Sequence, residues 1–525
     1  NTFAEENINI QAVYSPIWCI KGKLQAVVGS TWRLQYNLNT IGWNYNVADK
    51  LPTERLDEIA RDLIREVPQI PPTAEDAYGF GKQMQRLATL ALLADNLGIA
   101  DARRSAVSGM QAAFSPWLTG VNSNPLCYDT TYGGIVTTDS LTDFMTDFGS
   151  GWYNDHHFHY GYLIFAAAAI AKIDPVYFAD PVRKIAIESL VKDVCNMDEN
   201  DSSFPVSRHK DYFDGHSWAS GLWQQGNGKG QESSSEAVNA YYGCYLYALA
   251  TANTEMQQYS LTLMTMEIGA VQAYWHMGSA DIYDTLFANS RMVGNLGALD
   301  VTASTWFGHN AEFVHGINIM PITPATAMLF DSAFVQVQFP VVNARLKETN
   351  SAIVTVSPVS NGGGDKASKV KAECSASPGC KALGLTGMCC PSPEGSFLGC
   401  CDTSSTTAST GGGNSAVMID EWKSLLFAEL AVVNRDASWD SLMTLNNFGA
   451  GNSKSNSLYW AATRAAPVPG FNLSAVSSSG STSGKGGDVN LPSACAANSA
   501  CDAIGMLGEC CPAPNGMRLQ CCPQL

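Results

Sequence analysis

Positive charge is scarce in this chain. Lysine and arginine number 31 against 48 aspartates and glutamates, which leaves a formal net charge of −17. A field of that sign repels polyanions, so nucleic acids and anionic membrane surfaces are excluded as natural partners. A neutral polymer such as a glucan meets no such repulsion. Long apolar runs are missing too. The best of them, YLIFAAAAIAKI, ends at Lys172, short of the roughly 20 residues that a membrane span requires. The amino terminus lacks the charged-then-apolar pattern of a signal peptide, and NTFAEENINI reads as the interior of a longer gene product. Strand-like alternation is confined mainly to LQAVVGSTWRLQYNL near the start and to a run at SAIVTVSP.

What the chain does hold is cysteine in an organised form. CSASPGCKALGLTGMCCPSPEGSFLGCC (374–401) and CAANSACDAIGMLGECCPAPNGMRLQCC (495–522) share one spacing: Cys, five residues, Cys, eight, Cys-Cys, nine, Cys-Cys. Gly384, Gly387, Pro391, Pro393 and Gly395 recur as Gly505, Gly508, Pro512, Pro514 and Gly516. Segments this short cannot surround a useful core, so disulfides are expected to order them. Six cysteines permit fifteen pairings, and the sequence does not choose among them. A zinc reading competes, but the runs lack histidine and the usual C-x2-C spacing. Cysteine used in this way points to an oxidising compartment, hence a secreted protein, extracellular or in the cell wall. The Asn472 sequon agrees with that setting. Carbohydrate binding by the modules is disfavoured, since Phe397 is the only aromatic in the first and the second has none.

The rest of the chain has helical periodicity. Residues 55–67 place Leu56, Ile59, Ala60, Leu63 and Ile64 on one face, and 82–98 repeat the pattern with Met84, Leu87, Ala91 and Ala94. Further helices are predicted at 155–172, 182–195, 232–252, 255–276 and 420–434. A long helical body with aromatic loops between the helices suits an α/α toroid, although a bundle or a solenoid has the same local pattern.

Three of those loops concentrate unusual residues: DFGSGWYNDHHFHYGY (147–162), DGHSWASGLWQQGNGKGQESSSEAVNAYYG (214–243) and WFGHNAEFVHGINIMPITP (306–324). They hold most of the chain's eight histidines and are rich in Trp, Tyr, Asn and Gly, which stack on sugar faces and bond hydroxyls. Asp155 and His159 are four residues apart, as are Glu232 and Glu236. If each segment opens a helix, each pair shares a face. Two carboxylates so placed raise the proton affinity of one of them, as a tuned base requires. Equally, the glutamates decorate a helix N-terminus capped by Ser233 to Ser235. His156, His157 and His159 point in different directions on a helix, unlike the i, i+4 pair of a helical zinc site, so no metal is expected.

At these residues the chain resembles glycoside hydrolase family 81, the endo-β-1,3-glucanases. NDHHFHYGY, ESSSEAVNAYYG, HGINIMPITP and NSLYWAATR (456–464) occur in the family's order, and the resemblance runs from about residue 14 to 466 apart from the inserted cysteine module. It implies a mainly α fold: an (α/α)6 barrel formed by residues 53–360 and 416–470, after a small mixed α/β linking region at 1–52. The family's N-terminal β-sandwich is expected to be absent. The first module (361–415) reads as an insertion, and a Ser/Gly linker (471–490) precedes the second (491–525). The resemblance further implies Asp155 as general acid, Glu232 as general base, Glu236 as an essential second glutamate and His159 as a substrate contact. Asp214, His216, Glu312 and His315 carry over as further subsite residues. The implied reaction is inverting hydrolysis of internal bonds in a β-1,3-glucan, without metal or cofactor, by a monomer. Two other classes are a non-catalytic glucan-binding protein and a polysaccharide lyase using His159 and Tyr162. A lyase needs basic residues or a metal to meet a uronate, and the motifs offer few basic residues.

Overall fold

The structure, a computed structural model, describes residues 2–3, 17–24, 34–38, 40–68, 73–223, 226, 228–279, 282–354, 372–373, 388–390 and 415–471. The chain divides into two compact units, residues 1–475 and 476–525. The second unit and nearly all of the first cysteine repeat lie outside the described residues, as do the expected disulfides. Cys19, Cys127, Cys195 and Cys244 are free thiols.

In chain order the helices that build the first unit are α1 (Thr53–Glu66), α2 (Ala77–Asn96), α3 (Ala100–Thr119), α4 (His156–Ile173), α5 (Pro181–Cys195) and α6 (Ser234–Ala250). They continue as α7 (Thr254–Tyr274), α8 (Ala311–Gly316), α9 (Ser332–Val354), α10 (Ser415–Leu430), α11 (Arg435–Met443) and α12 (Lys454–Thr463). The even-numbered helices form a closed inner ring. α2 packs on α4, α4 on α6, α8 on α10, α10 on α12, and α12 returns to α2. The remaining join, α6 to α8, is made by hydroxyls: Ser233 and Ser235 donate to the carbonyl of Ile317, and Ser234 donates to Asn318 Oδ1. Outside this ring α3 lies on α2, α5 on α3 and α4, α7 on α6, α9 on α8 and α10, α11 on α10 and α12, and α1 on α12. This alternation is the expected (α/α)6 toroid.

Burial follows the two layers. Every residue of α4 from His156 to Ala171 and of α6 from Ser234 to Ala248 is buried, as befits helices enclosed on all sides. Small residues let them approach. A Cβ on Gly161 would stand 2.8 Å from Ala240 Cα, and one on Gly81 would stand 3.0 Å from the carbonyl of His159. The outer α1 buries only Ile59, Asp62 and Leu63. Its predicted stripe is therefore too wide: Ile64 is 55 % exposed. Asp62 turns inward instead, because Lys454 at the start of α12 and its own Arg65 supply cations there.

The predicted helices all occur, with ends shifted by a few residues. α3, α8, α9, α11 and α12 have no counterpart among the predicted helices. The run at SAIVTVSP, read as strand, begins as helix, since α9 continues through Val354; so short an apolar run has no decisive period. Strands are few and short among the described residues. β1 (Ile17–Cys19) and β2 (Gly22–Leu24) form a hairpin, as do β3 (Leu126–Asp129) and β4 (Gly134–Thr137). β5 (Gly230–Gln231), β6 (Asn295–Gly297) and β7 (Val301–Thr302) form an antiparallel sheet in that order. Among the described residues no helix is long and apolar enough to cross a membrane.

Candidate active site

The N-terminal ends of α2, α4 and α6 meet, and the carboxyl groups singled out from the sequence gather there. Asp155 is the residue before α4 and has a left-handed backbone, φ 59°. Asp147, Phe148 and Tyr153 also have positive φ. Four such non-glycine residues within nine positions mark a segment that the surrounding fold must hold in place. One tie is the N–H of Asp155, which donates to the carbonyl of Ala219 at 2.9 Å. The N–H of Ala219 in turn donates to the carbonyl of Gly230 at 2.9 Å. Gly230 begins β5, which leads directly into Glu232, so one backbone strip carries both acids.

Glu232 precedes α6 and does not share a helical face with Glu236, contrary to expectation; the helix begins only at Ser234. Ser233 to Ser235 do not cap it either, because their hydroxyls face the turn after α8. The sheet positions Glu232 from its other side. Shortly beyond β7, the N–H of Trp306 donates to Glu232 Oε2 at 2.7 Å. Glu236, in the first turn of α6, is buried, and its Oε1 accepts from Tyr78 at 2.9 Å and from Tyr162 at 2.7 Å. His159 Nδ1 lies 3.4 Å from Asp147 Oδ2, and its ring packs 4.9 Å from that of Tyr78. Asp147 also accepts from the N–H of Ala77 at the start of α2.

Burial dominates the electrostatics. It pushes Asp155 up to about 7, with Glu236 and Asp147 adding to the rise and His159 opposing it. Burial likewise pushes Glu232 up to about 8, opposed by the Trp306 N–H and reinforced by Asp155 and Glu236. Burial and acidic neighbours together raise Asp155. Glu232 is raised as well, because it is buried and shares one acidic cluster with Asp155 and Glu236. Such a pair holds a proton near neutrality. Burial alone would lower His159, but Asp147, Asp155 and Glu236 outweigh it and push the imidazole up to about 9. It is therefore a cation at neutral pH, set against the acids.

The other sequence candidates have partners of their own. Asp214 and His216 are engaged by Lys21 of the N-terminal hairpin, which contacts the Asp214 carboxylate and approaches His216 Nε2 at 2.8 Å. His216 Nδ1 faces the carbonyl of Ser217 at 2.8 Å, so Nδ1 donates and Nε2 accepts from Lys21. His315 is wholly buried against Gln338 of the outer α9. Glu312, in the first turn of α8, accepts from Asn310. None of these four is among the groups that raise or lower Asp155 or Glu232. His156 pairs with Asp193 and the carbonyl of Ser150, and His157 stacks on His209, so the two point away from His159. Among the described residues no three His, Cys, Asp or Glu side chains converge as a metal site. Sequence reasoning did not single out Tyr78, Asp147 or Trp306. Asp147 opens the aspartate-histidine stretch, whereas nothing local marks Tyr78.

The Glycosyl hydrolase family 81 C-terminal domain matches residues 50–355, more than half of the chain. The chain belongs to glycoside hydrolase family 81. Over 260 residues this family 81 chain is 34% identical to the primary septum glucan endo-1,3-beta-D-glucosidase of Schizosaccharomyces pombe, covering 49% of the chain and 26% of that relative. Over 323 residues it is 33% identical to a glucan endo-1,3-beta-D-glucosidase of Glycine max, covering 60% and 48%. The chain thus spans less than half the length of either relative. A mutant glycoside hydrolase family 81 structure from Clostridium thermocellum shares the fold, with a TM-score of 0.63, 24% identity, and coverage of 87% of this chain and 54% of that one.

Proposed function

We propose that this chain hydrolyses internal β-1,3-glucosidic bonds of glucans with inversion, Asp155 acting as general acid and Glu232 as general base. The observation that carries the proposal is the carboxyl pair on one backbone strip, Glu232 buried and Asp155 half-buried, with a third carboxylate and a cation beside it. Cleavage needs a protonated acid at the leaving oxygen and an ionised carboxylate to take a proton from water on the opposite sugar face. One proton shared by Asp155 and Glu232 meets both needs. The Trp306 N–H favours the ionised form of Glu232. Among the described residues none donates to the side-chain oxygens of Asp155, which supports assigning the proton there. Glu236, held by two phenols, is suited to orient the attacking water. The named activities of the relatives support the substrate class, and the cysteine repeats support a secreted setting.

A lyase reading has less support. Burial and Glu236 push the Tyr162 phenol well above its ordinary range, so it stays a donor to Glu236 and cannot serve as a phenolate base.

The test is reducing-end release from laminarin. Asp155→Asn and Glu232→Gln are each expected to lower the rate by at least about 10³-fold, with the circular dichroism spectrum unchanged. A near-wild-type rate in either folded variant sinks the assignment. Laminarin binding by the unaltered protein without release of reducing ends would favour a non-catalytic glucan-binding protein.

A further inference from the structure

We infer that Phe144, Trp152 and Trp223 form a sugar-binding platform beside Asp155, shaped for a helical rather than a ribbon-like glucan. The inference rests on the reading of the site as a glucan cleft.

The three rings form a continuous run. Phe144 and Trp152 have centroids 6.4 Å apart, and Trp152 and Trp223 6.3 Å apart. Trp223 is 59 % exposed and Phe144 51 %, although large aromatic rings normally withdraw from water. The backbone at Trp152 and just before Trp223 is nevertheless tied down. The N–H of Leu222 donates to the carbonyl of Trp152 at 2.8 Å, and that of Gly221 to Asn154 Oδ1 at 2.9 Å. A Cβ at Gly221 would lie 2.1 Å from the Trp152 carbonyl oxygen, so only glycine lets the two loops meet. Lys229 closes the second loop by donating to the carbonyl of Gly221 at 2.8 Å. A platform held in this way loses little freedom when a ligand arrives.

Its position ties it to the reaction. Trp152 lies three residues before Asp155, and Trp223 lies four residues after Ala219, whose carbonyl binds the Asp155 N–H. The spacing of the rings is of the order of a pyranose ring, and their faces suit the apolar C–H face of a sugar. They share no common plane: the tilt is 27° between Phe144 and Trp152 and 61° between Trp152 and Trp223. A flat β-1,4 chain would need coplanar rings. A β-1,3 chain turns as it advances and can present successive sugar faces to rings that turn with it.

The test is titration calorimetry in a Glu232→Gln parent, with laminarin, laminaribiose and cellohexaose as probes. Adding Trp223→Ala or Phe144→Ala, both at exposed positions, is expected to weaken laminarin binding about tenfold. Laminaribiose binding should be unchanged, and cellohexaose should bind the parent more weakly than laminarin does. Equal laminarin affinity with and without Trp223 overturns the platform alone, leaving the exposed rings to be covered by polypeptide. Equal affinity of the parent for cellohexaose overturns the preference for a helical chain. A parent that binds no glucan overturns the platform together with the cleft reading.

Discussion

Tyr78 and Tyr162, on the neighbouring helices α2 and α4, donate to the same oxygen of Glu236, at 2.9 and 2.7 Å. Two donors on one oxygen fix the carboxylate plane. Tyr162→Phe removes one hydrogen bond to a charged group, a loss of about 1.5–3 kcal/mol. The kcat on laminarin is therefore expected to fall at least tenfold or so, with KM little changed. An unaltered kcat would show that the position of Glu236 does not depend on Tyr162.

The pH–rate profile should respond to His159. Its cation opposes the rise of Asp155, and a general acid works only while protonated. Activity is thus lost as pH climbs through the proton affinity of Asp155. His159→Gln removes the opposing charge and raises that affinity. The alkaline limb of kcat/KM is expected to move to higher pH, and a downward movement contradicts the electrostatic account.

Acid sensitivity should come in part from buried neutral histidines. The His276 ring lies 4.1 Å from that of Phe334 and 5.0 Å from that of Phe330. Burial lowers it to about 3. Between that value and the ordinary histidine value of about 6.5 the unfolded chain binds the extra proton, so stability falls as pH falls through this window. Urea unfolding of His276→Leu should lose about 2 kcal/mol less than wild type between pH 7 and pH 5. Equal losses would mean that His276 is not neutral in the folded protein.

Legibility of the sequence varied with how local the cause was. α4 could be read because its apolar run is long, and the toroid followed from the family resemblance and was met by the ring of helices. The four-residue spacing of Glu232 and Glu236 misled, because a helical period means nothing until the helix has begun, and α6 begins between them. The serines between the glutamates resemble a cap, yet they join α6 to the turn after α8, a contact made across more than eighty residues. Tyr78 was invisible for a similar reason: it reaches Glu236 only because α2 and α6 both flank α4. The contact of His216 with Lys21, almost two hundred residues earlier, could not be read from its neighbours either.

The measurement closest to the central claim is a time-resolved proton NMR spectrum of laminarin mixed with the protein. Inverting hydrolysis by Asp155 and Glu232 requires the α-anomer to appear first, before mutarotation spreads the signal. Early β-anomer would mean retention, and with it a covalent role for one of these carboxyls that contradicts the account.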